Sequence, residues 1–129
     1  MKLLTSLHLA RADADHAFAV HLSDALHRGD PIPAAWVIVV AFYCAVHCVN
    51  AYLWEIYDFA PSDHESRTRA LHSSADLTTI SVAYDALGVR AYHARYEPTF
   101  SAPPTLVERS VQQAGEIRAA VRGYLGLNR

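Results

Sequence analysis

The sequence predicts an all-α fold, a compact up-and-down bundle of four to five helices forming one domain over residues 1–129. Three observations carry that expectation. Apolar side chains recur at steps of three and four in several long segments, the repeat of a helix with one face on a core. The segment from Ala34 to Ile56 is apolar for far longer than a strand runs, although it contains the β-branched Val37, Ile38, Val39 and Val40. Glycine and proline breaks separate the periodic segments, and short connections of this kind favour antiparallel neighbours.

In order along the chain, the first helix is expected from about Ser6 to Arg28, with Leu7, Ala10, Ala14, Phe18, Leu22 and Ala25 as its apolar stripe. Gly29 supplies a left-handed stop, and Asp30-Pro31-Ile32-Pro33 forbids continuation. The second helix begins near Pro33, where a missing amide donor does no harm, and runs to about Tyr57. Ser62 and Glu65, three apart, read as a capping box that opens a short helix over Asp63 to His72. Helical spacing resumes through Leu77, Ile80, Tyr84 and Leu87, with Gly88 as its stop. Val89 to Pro104 shows no sustained period and is expected as an ordered loop. Thr105 and Glu108 form a second capping box, opening a last helix whose face is Leu106, Val111, Ala114, Ile117, Val121 and Leu125.

The composition is globular, with 52% hydrophobic and 19% charged residues, and is incompatible with a disordered tail. A formal charge of −2 supplies no global basic field, which argues against tight non-specific binding to duplex DNA. The amino-terminal MKLLTSLHLARADAD is interrupted by His8 and followed by charge, a poor signal peptide. Ala34 to Ile56 is about long enough to cross a bilayer, but it contains His47, Asn50 and Glu55 and lacks closely flanking basic residues. A bundle core is the better home for it, and no membrane association is expected. Cys44 and Cys48, four apart, share a helix face and read as buried thiols in a reducing, cytoplasmic setting. Cys44 with His47 is also a conceivable start to a zinc site. The competing reading, a buried His47 hydrogen-bonded to a neighbouring helix, is preferred, and no metal or other cofactor is expected.

Eight histidines in 129 residues invite chemistry. Cations and imidazoles crowd together in one place, between His64 and Tyr96, where the chain carries His64, Arg67, Arg69, His72, Arg90, His93 and Arg95. On a helix His64, Arg67 and His72 fall near one face. An imidazole can take the proton from a ribose 2′-hydroxyl, and a guanidinium can fork onto the phosphate under attack, a reaction that requires no metal. A solvated face with ordinary pairs, such as Glu65 with Arg69, is the plainer alternative.

Several of these strings resemble bacterial HEPN-domain proteins. The resemblance rests on Ala35-Trp36-Val37, on Phe42-Tyr43-Cys44-Ala45-Val46-His47 and on Ala51-Tyr52-Leu53 in the second helix. It continues through Ser62-Asp63-His64-Glu65-Ser66-Arg67, Tyr84, Leu87 and Ala94-Arg95-Tyr96, and covers roughly residues 5 to 125. It implies a four- or five-helix bundle that commonly dimerises. Many members of the family are metal-independent ribonucleases, often the toxin of a toxin–antitoxin pair or part of a defence system; others bind nucleotides or RNA without cleaving. Active members carry Arg-x(4–6)-His, paired across the dimer. Arg67-Thr68-Arg69-Ala70-Leu71-His72 has that spacing, although the motif usually lies later in the domain, where this chain offers Arg90 and His93 with only two residues between them.

The resemblance therefore implies Arg67, His72 and His64 as catalytic candidates, with Arg90, Arg95 and Tyr96 as phosphate- or ligand-binding candidates. A homodimer, an RNA or nucleotide ligand and an antitoxin partner are the implied associations. The alternative is a non-catalytic nucleotide- or phosphate-binding or dimeric adaptor module. Trp36, Tyr52, Trp54 and Tyr57 add large rings to the second helix, available either to a second subunit or to burial under loops.

Overall fold

A computed structural model describes residues 1–127; the last two residues of the expected domain lie outside that range. The described chain is all-helical: α1 (Leu3–His27), α2 (Ala34–Tyr57), α3 (His64–Ser73), a 3-10 turn (Ala75–Leu77), α4 (Thr78–Tyr96) and α5 (Pro104–Tyr124). The helices pack as the compact bundle that the apolar periodicity predicts.

Helix α2 is the centre and packs on α1, α4 and α5. Side-chain bonds give the relative directions. Lys2, ahead of α1, bonds the Trp54 carbonyl and the Asp58 carboxylate at the far end of α2, so these two helices run antiparallel. Arg95, late in α4, reaches Tyr43 early in α2, whereas Asp76, ahead of α4, reaches Tyr52, so α2 and α4 are antiparallel as well. Asp13 with Arg118 and His27 with Glu108 set α1 against α5. Ala12 and Ala19 of α1, with Ile38, Leu53, Leu71, Leu87 and Ile117 of the other helices, are fully buried and join all five helices in one core. Helix α2 is long and apolar enough to cross a membrane, and 61% of its most apolar window is buried inside the bundle.

Cys44 and Cys48 are buried, free thiols, and their mutual hydrogen bond, with burial, pushes the Cys44 thiol up. His47, half-buried rather than buried as expected, does reach a neighbouring helix: its Nδ1 lies 3.0 Å from Nδ1 of His8 on α1. Of the four large rings on α2, Tyr52 is buried and Trp54 is half-buried with the Lys2 ammonium 5.4 Å from its ring centre. Trp36 and Tyr57 stay exposed.

Several local expectations are corrected. Leu7, Ala10, Ala14 and Phe18 of α1 point outward, and the buried face is Thr5, Leu9, Ala12, Ala19, Ser23 and Ala25. Both faces of α1 carry small or apolar residues, so spacing alone did not select the inner one. Helix α3 is capped one residue later than expected. Asp63 Oδ1 accepts from the Ser66 amide at 2.7 Å and Ser66 Oγ accepts from the Asp63 amide, a capping box that holds the Asp63 carboxyl below its usual range. Gly88 does not stop α4, which continues through the expected loop to Tyr96. Buried Ala91 keeps that extension on the core, and Gly88 leaves room for the Phe42 ring, whose Cε1 would lie 3.4 Å from an added Cβ. Finally, α5 opens at Pro104 after Pro103 without a side-chain cap, so Thr105 lies inside the helix.

Candidate functional site

Helices α3 and α4 enclose a groove of about 540 Å³ beside α2. Its lining includes His64, Thr68 and His72 from α3, Tyr84, Asp85, Tyr92, His93 and Arg95 from α4, and Phe42 from α2. His64 and His72 on α3 and the distant Arg95 on α4 thus face one cavity. The extension of α4 past Gly88 creates this arrangement, because a loop from Val89 onward would not set Tyr92, His93 and Arg95 along the groove wall.

Arg67 takes a different place. It is only 7% exposed and does not line the groove. Its Nε donates to Asn50 Oδ1 at 2.8 Å and its Nη1 donates to His64 Nδ1 at 2.9 Å. A guanidinium has no acceptor, so His64 Nδ1 must carry the lone pair, and the neutral ring bears its hydrogen on Nε2. Burial, then the charges of Arg67 and Arg95, lower the His64 pKa and favour that neutral form. The Phe42 ring, 5.7 Å away between centroids, backs the imidazole. His64 is therefore fixed as a hydrogen-bond donor through Nε2.

His72 is arranged in the opposite sense. Its Nε2 lies 2.8 Å from Asp85 Oδ2 on α4. A carboxylate accepts only, so this contact places the hydrogen on Nε2 and leaves Nδ1 of the neutral ring as a free base. The pair repeats the logic by which an acid orients a catalytic imidazole.

Arg95 supplies the cation. Its Nη1 donates to the Tyr43 hydroxyl at 3.1 Å, and its guanidinium lies 5.4 to 5.9 Å from the ring centres of Phe42, Tyr43 and Tyr96. Tyr84, 2% exposed, has its ring 5.5 Å from Phe42, and burial pushes its phenol up. Arg95 Nε is buried without a hydrogen-bond partner among the described residues, and the Tyr84 hydroxyl, beside the Arg67 guanidinium that holds its pKa down against burial, finds no acceptor for its own hydrogen there. Buried donors are seldom left unmet, and two on one groove suit an oxygen-rich ligand.

The remaining candidates lie elsewhere. Arg90 points to α5, donating to Gln113 Oε1 at 2.5 Å and Ser110 Oγ at 3.2 Å. Tyr96 is 65% exposed, outside the groove lining, with its ring tilted against Tyr92 at 5.0 Å between centroids. The Glu65–Arg69 pair forms on the surface at 2.9 Å, as the plainer reading of that face expects. Sequence reasoning missed Asp85, Tyr84 and Tyr92. Asp85 pairs with His72 across two helices, beyond the reach of i,i+4 spacing.

Among the described residues, no three His, Cys, Asp or Glu side chains gather as a metal site. No family model matches the chain, and no curated protein matches its sequence.

Proposed function

We propose that the α3–α4 groove binds the phosphodiester of RNA and cleaves it without a metal, in the manner of HEPN-type ribonucleases. The observation that carries this reading is the joint placement of a donor-fixed His64, an acid-oriented His72 and the Arg95 guanidinium on one cavity wall. In the reaction, His72 Nδ1 takes the proton of the ribose 2′-hydroxyl. The 2′-oxygen attacks phosphorus, the bond to the 5′-oxygen breaks, and a 2′,3′-cyclic phosphate forms as the proton held by His72 passes through water to the leaving 5′-oxygen. Arg95, His64 Nε2–H and the Tyr84 hydroxyl meet the charge on the phosphoryl oxygens. Tyr92, 55% exposed on the groove wall, offers ring surface for a base. Arg67 acts as a positioning residue, holding His64 from behind.

A homodimer belongs to this proposal. Val82, Val89, Tyr92 and Tyr96 are exposed along α4 beside the groove, an apolar stripe suited to a second copy. A cytoplasmic protein of a toxin–antitoxin or defence system, with an antitoxin partner, is the setting that the HEPN resemblance suggests.

The test is cleavage of a defined single-stranded RNA in EDTA. The native protein should give products ending in cyclic phosphate. His72→Ala should lower the rate about 100-fold or more, in line with loss of a general base. Asp85→Asn keeps an acceptor for Nε2–H but removes the charge, and should lower the rate less. Cleavage unaffected by His72→Ala would remove the proposal.

One observation favours a second reading. Arg67 of the Arg-x(4)-His spacing is buried against Asn50 and His64 and cannot itself fork onto a phosphate in the groove. That suits a non-catalytic nucleotide- or phosphate-binding module. It predicts a raised thermal midpoint with nucleotide and intact RNA after long incubation.

A further inference from the structure

A second concavity, of about 320 Å³, lies where α2, the 3-10 turn and α5 meet, and Tyr52, Asp76 and Tyr124 line it. It shares no lining residue with the α3–α4 groove. The Tyr52 hydroxyl donates to Asp76 Oδ2 at 2.6 Å, and the Tyr57 hydroxyl approaches the same oxygen at 3.4 Å. Tyr57 also meets Ser74 Oγ at 3.1 Å, which ties it to the start of the turn. The Tyr52 ring stands edge-on to Tyr57, 6.2 Å between centroids, and to Tyr124, at 5.9 Å.

Asp76 is thus held by two phenols through one oxygen, while Oδ1 accepts no hydrogen bond from the described residues. Among those residues it has no ion-pair partner either; Lys2, Arg11, Arg28, Arg69, Arg118 and Arg122 pair with other acids. An oriented carboxylate beside the 38% exposed Tyr124 ring attracts cations twice, by its charge and by the negative face of the ring. A hard inorganic cation needs several oxygen ligands, and one carboxylate does not supply them. A weakly hydrated organic cation needs only the charge and the rings.

We propose that this pocket binds a small organic ammonium group, a quaternary or N-methylated amine, with Asp76 as its counter-ion, Tyr124 as its ring wall and the buried Tyr52 fixing the carboxylate from behind. The competing reading is purely structural, with the two phenols fixing the 3-10 turn to α2 and no ligand involved.

The test is a titration of the full chain with choline chloride, followed by NMR shifts of Tyr52, Asp76 and Tyr124. The neutral carbon isostere 3,3-dimethylbutan-1-ol serves as the control. The expected result is a saturable shift with choline, absent with the isostere and weakened about tenfold or more in Asp76→Asn, which retains an acceptor for both phenols. Tyr124→Leu, at a position 38% exposed and therefore tolerant for folding, should weaken binding as well. A trimethyl-lysine peptide in place of choline distinguishes a protein-borne ammonium from a free one, and tighter binding of either supports the proposal. No saturable response to choline or the peptide, equal shifts with the neutral isostere, or binding untouched by Asp76→Asn would overturn it.

Discussion

His64 and His72 sit on the same short helix, yet their neighbours assign them different chemistry. Arg67 occupies Nδ1 of His64 and leaves a donor, whereas Asp85 occupies Nε2 of His72 and leaves a base. The His8–His47 pair belongs to the same scale. Two Nδ1 atoms 3.0 Å apart need one hydrogen between them, so protonating both rings breaks the contact. Burial, then Arg67 for His8 and His8 for His47, lowers both pKa values; His16 and His64 are lowered chiefly by burial too. Each of these rings binds its proton less readily in the folded chain than in the unfolded one. Stability is therefore full above the unfolded value of about 6.5 and drains away as pH falls through the lower folded values. The thermal midpoint should fall between about pH 7 and pH 5, with a shallower decline in His47→Leu. A midpoint that rises on acidification would contradict this account.

At the scale of elements, α4 shows how glycine can mislead. An interior glycine costs a helix about 1 kcal/mol relative to alanine, which made Gly88 look like a stop. The fold meets that cost because Phe42 packs against the bare backbone, and the helix continues to present Tyr92, His93 and Arg95 to the groove. Gly88→Ala should then raise the thermal midpoint by up to a few degrees, since its Cβ would make ordinary contact with the ring at 3.4 Å. The same methyl narrows the groove and should weaken phosphate-ligand binding; a marked loss of stability would show that Phe42 cannot adjust. The existence and order of the helices were legible because apolar spacing and proline breaks act locally. The inward face of α1 was not, because Leu7 and Phe18 compete with Leu9 and Ala19 for the core and only the bundle decides. The cap of α3 was missed by one residue because Ser62 and Asp63 are both good caps.

For the molecule as a whole, α2 unites the core and both cavities. Its Phe42 lines the α3–α4 groove, and its Tyr52 lines the ammonium pocket. Asn50, near the middle, anchors Arg67 and with it α3. The candidate site was half legible in the sequence. His64, His72 and Arg95 drew attention as a crowd of cations and imidazoles, and they share the groove. Arg67 became a support and Arg90 an interhelical tie, because charge counts carry no direction, while Asp85 and Tyr84 gain meaning only once α3 and α4 are packed. The central claim is that this groove grips an anionic phosphate ester. Its most direct test is an NMR titration of the histidine side chains with a 2′-deoxy dinucleotide, which can bind but cannot be cleaved through a 2′-hydroxyl. The account predicts saturable shifts at His64 and His72, lost in Arg95→Ala, with His8, His16 and His47 unmoved. Unchanged His64 and His72 resonances at saturating ligand would contradict it.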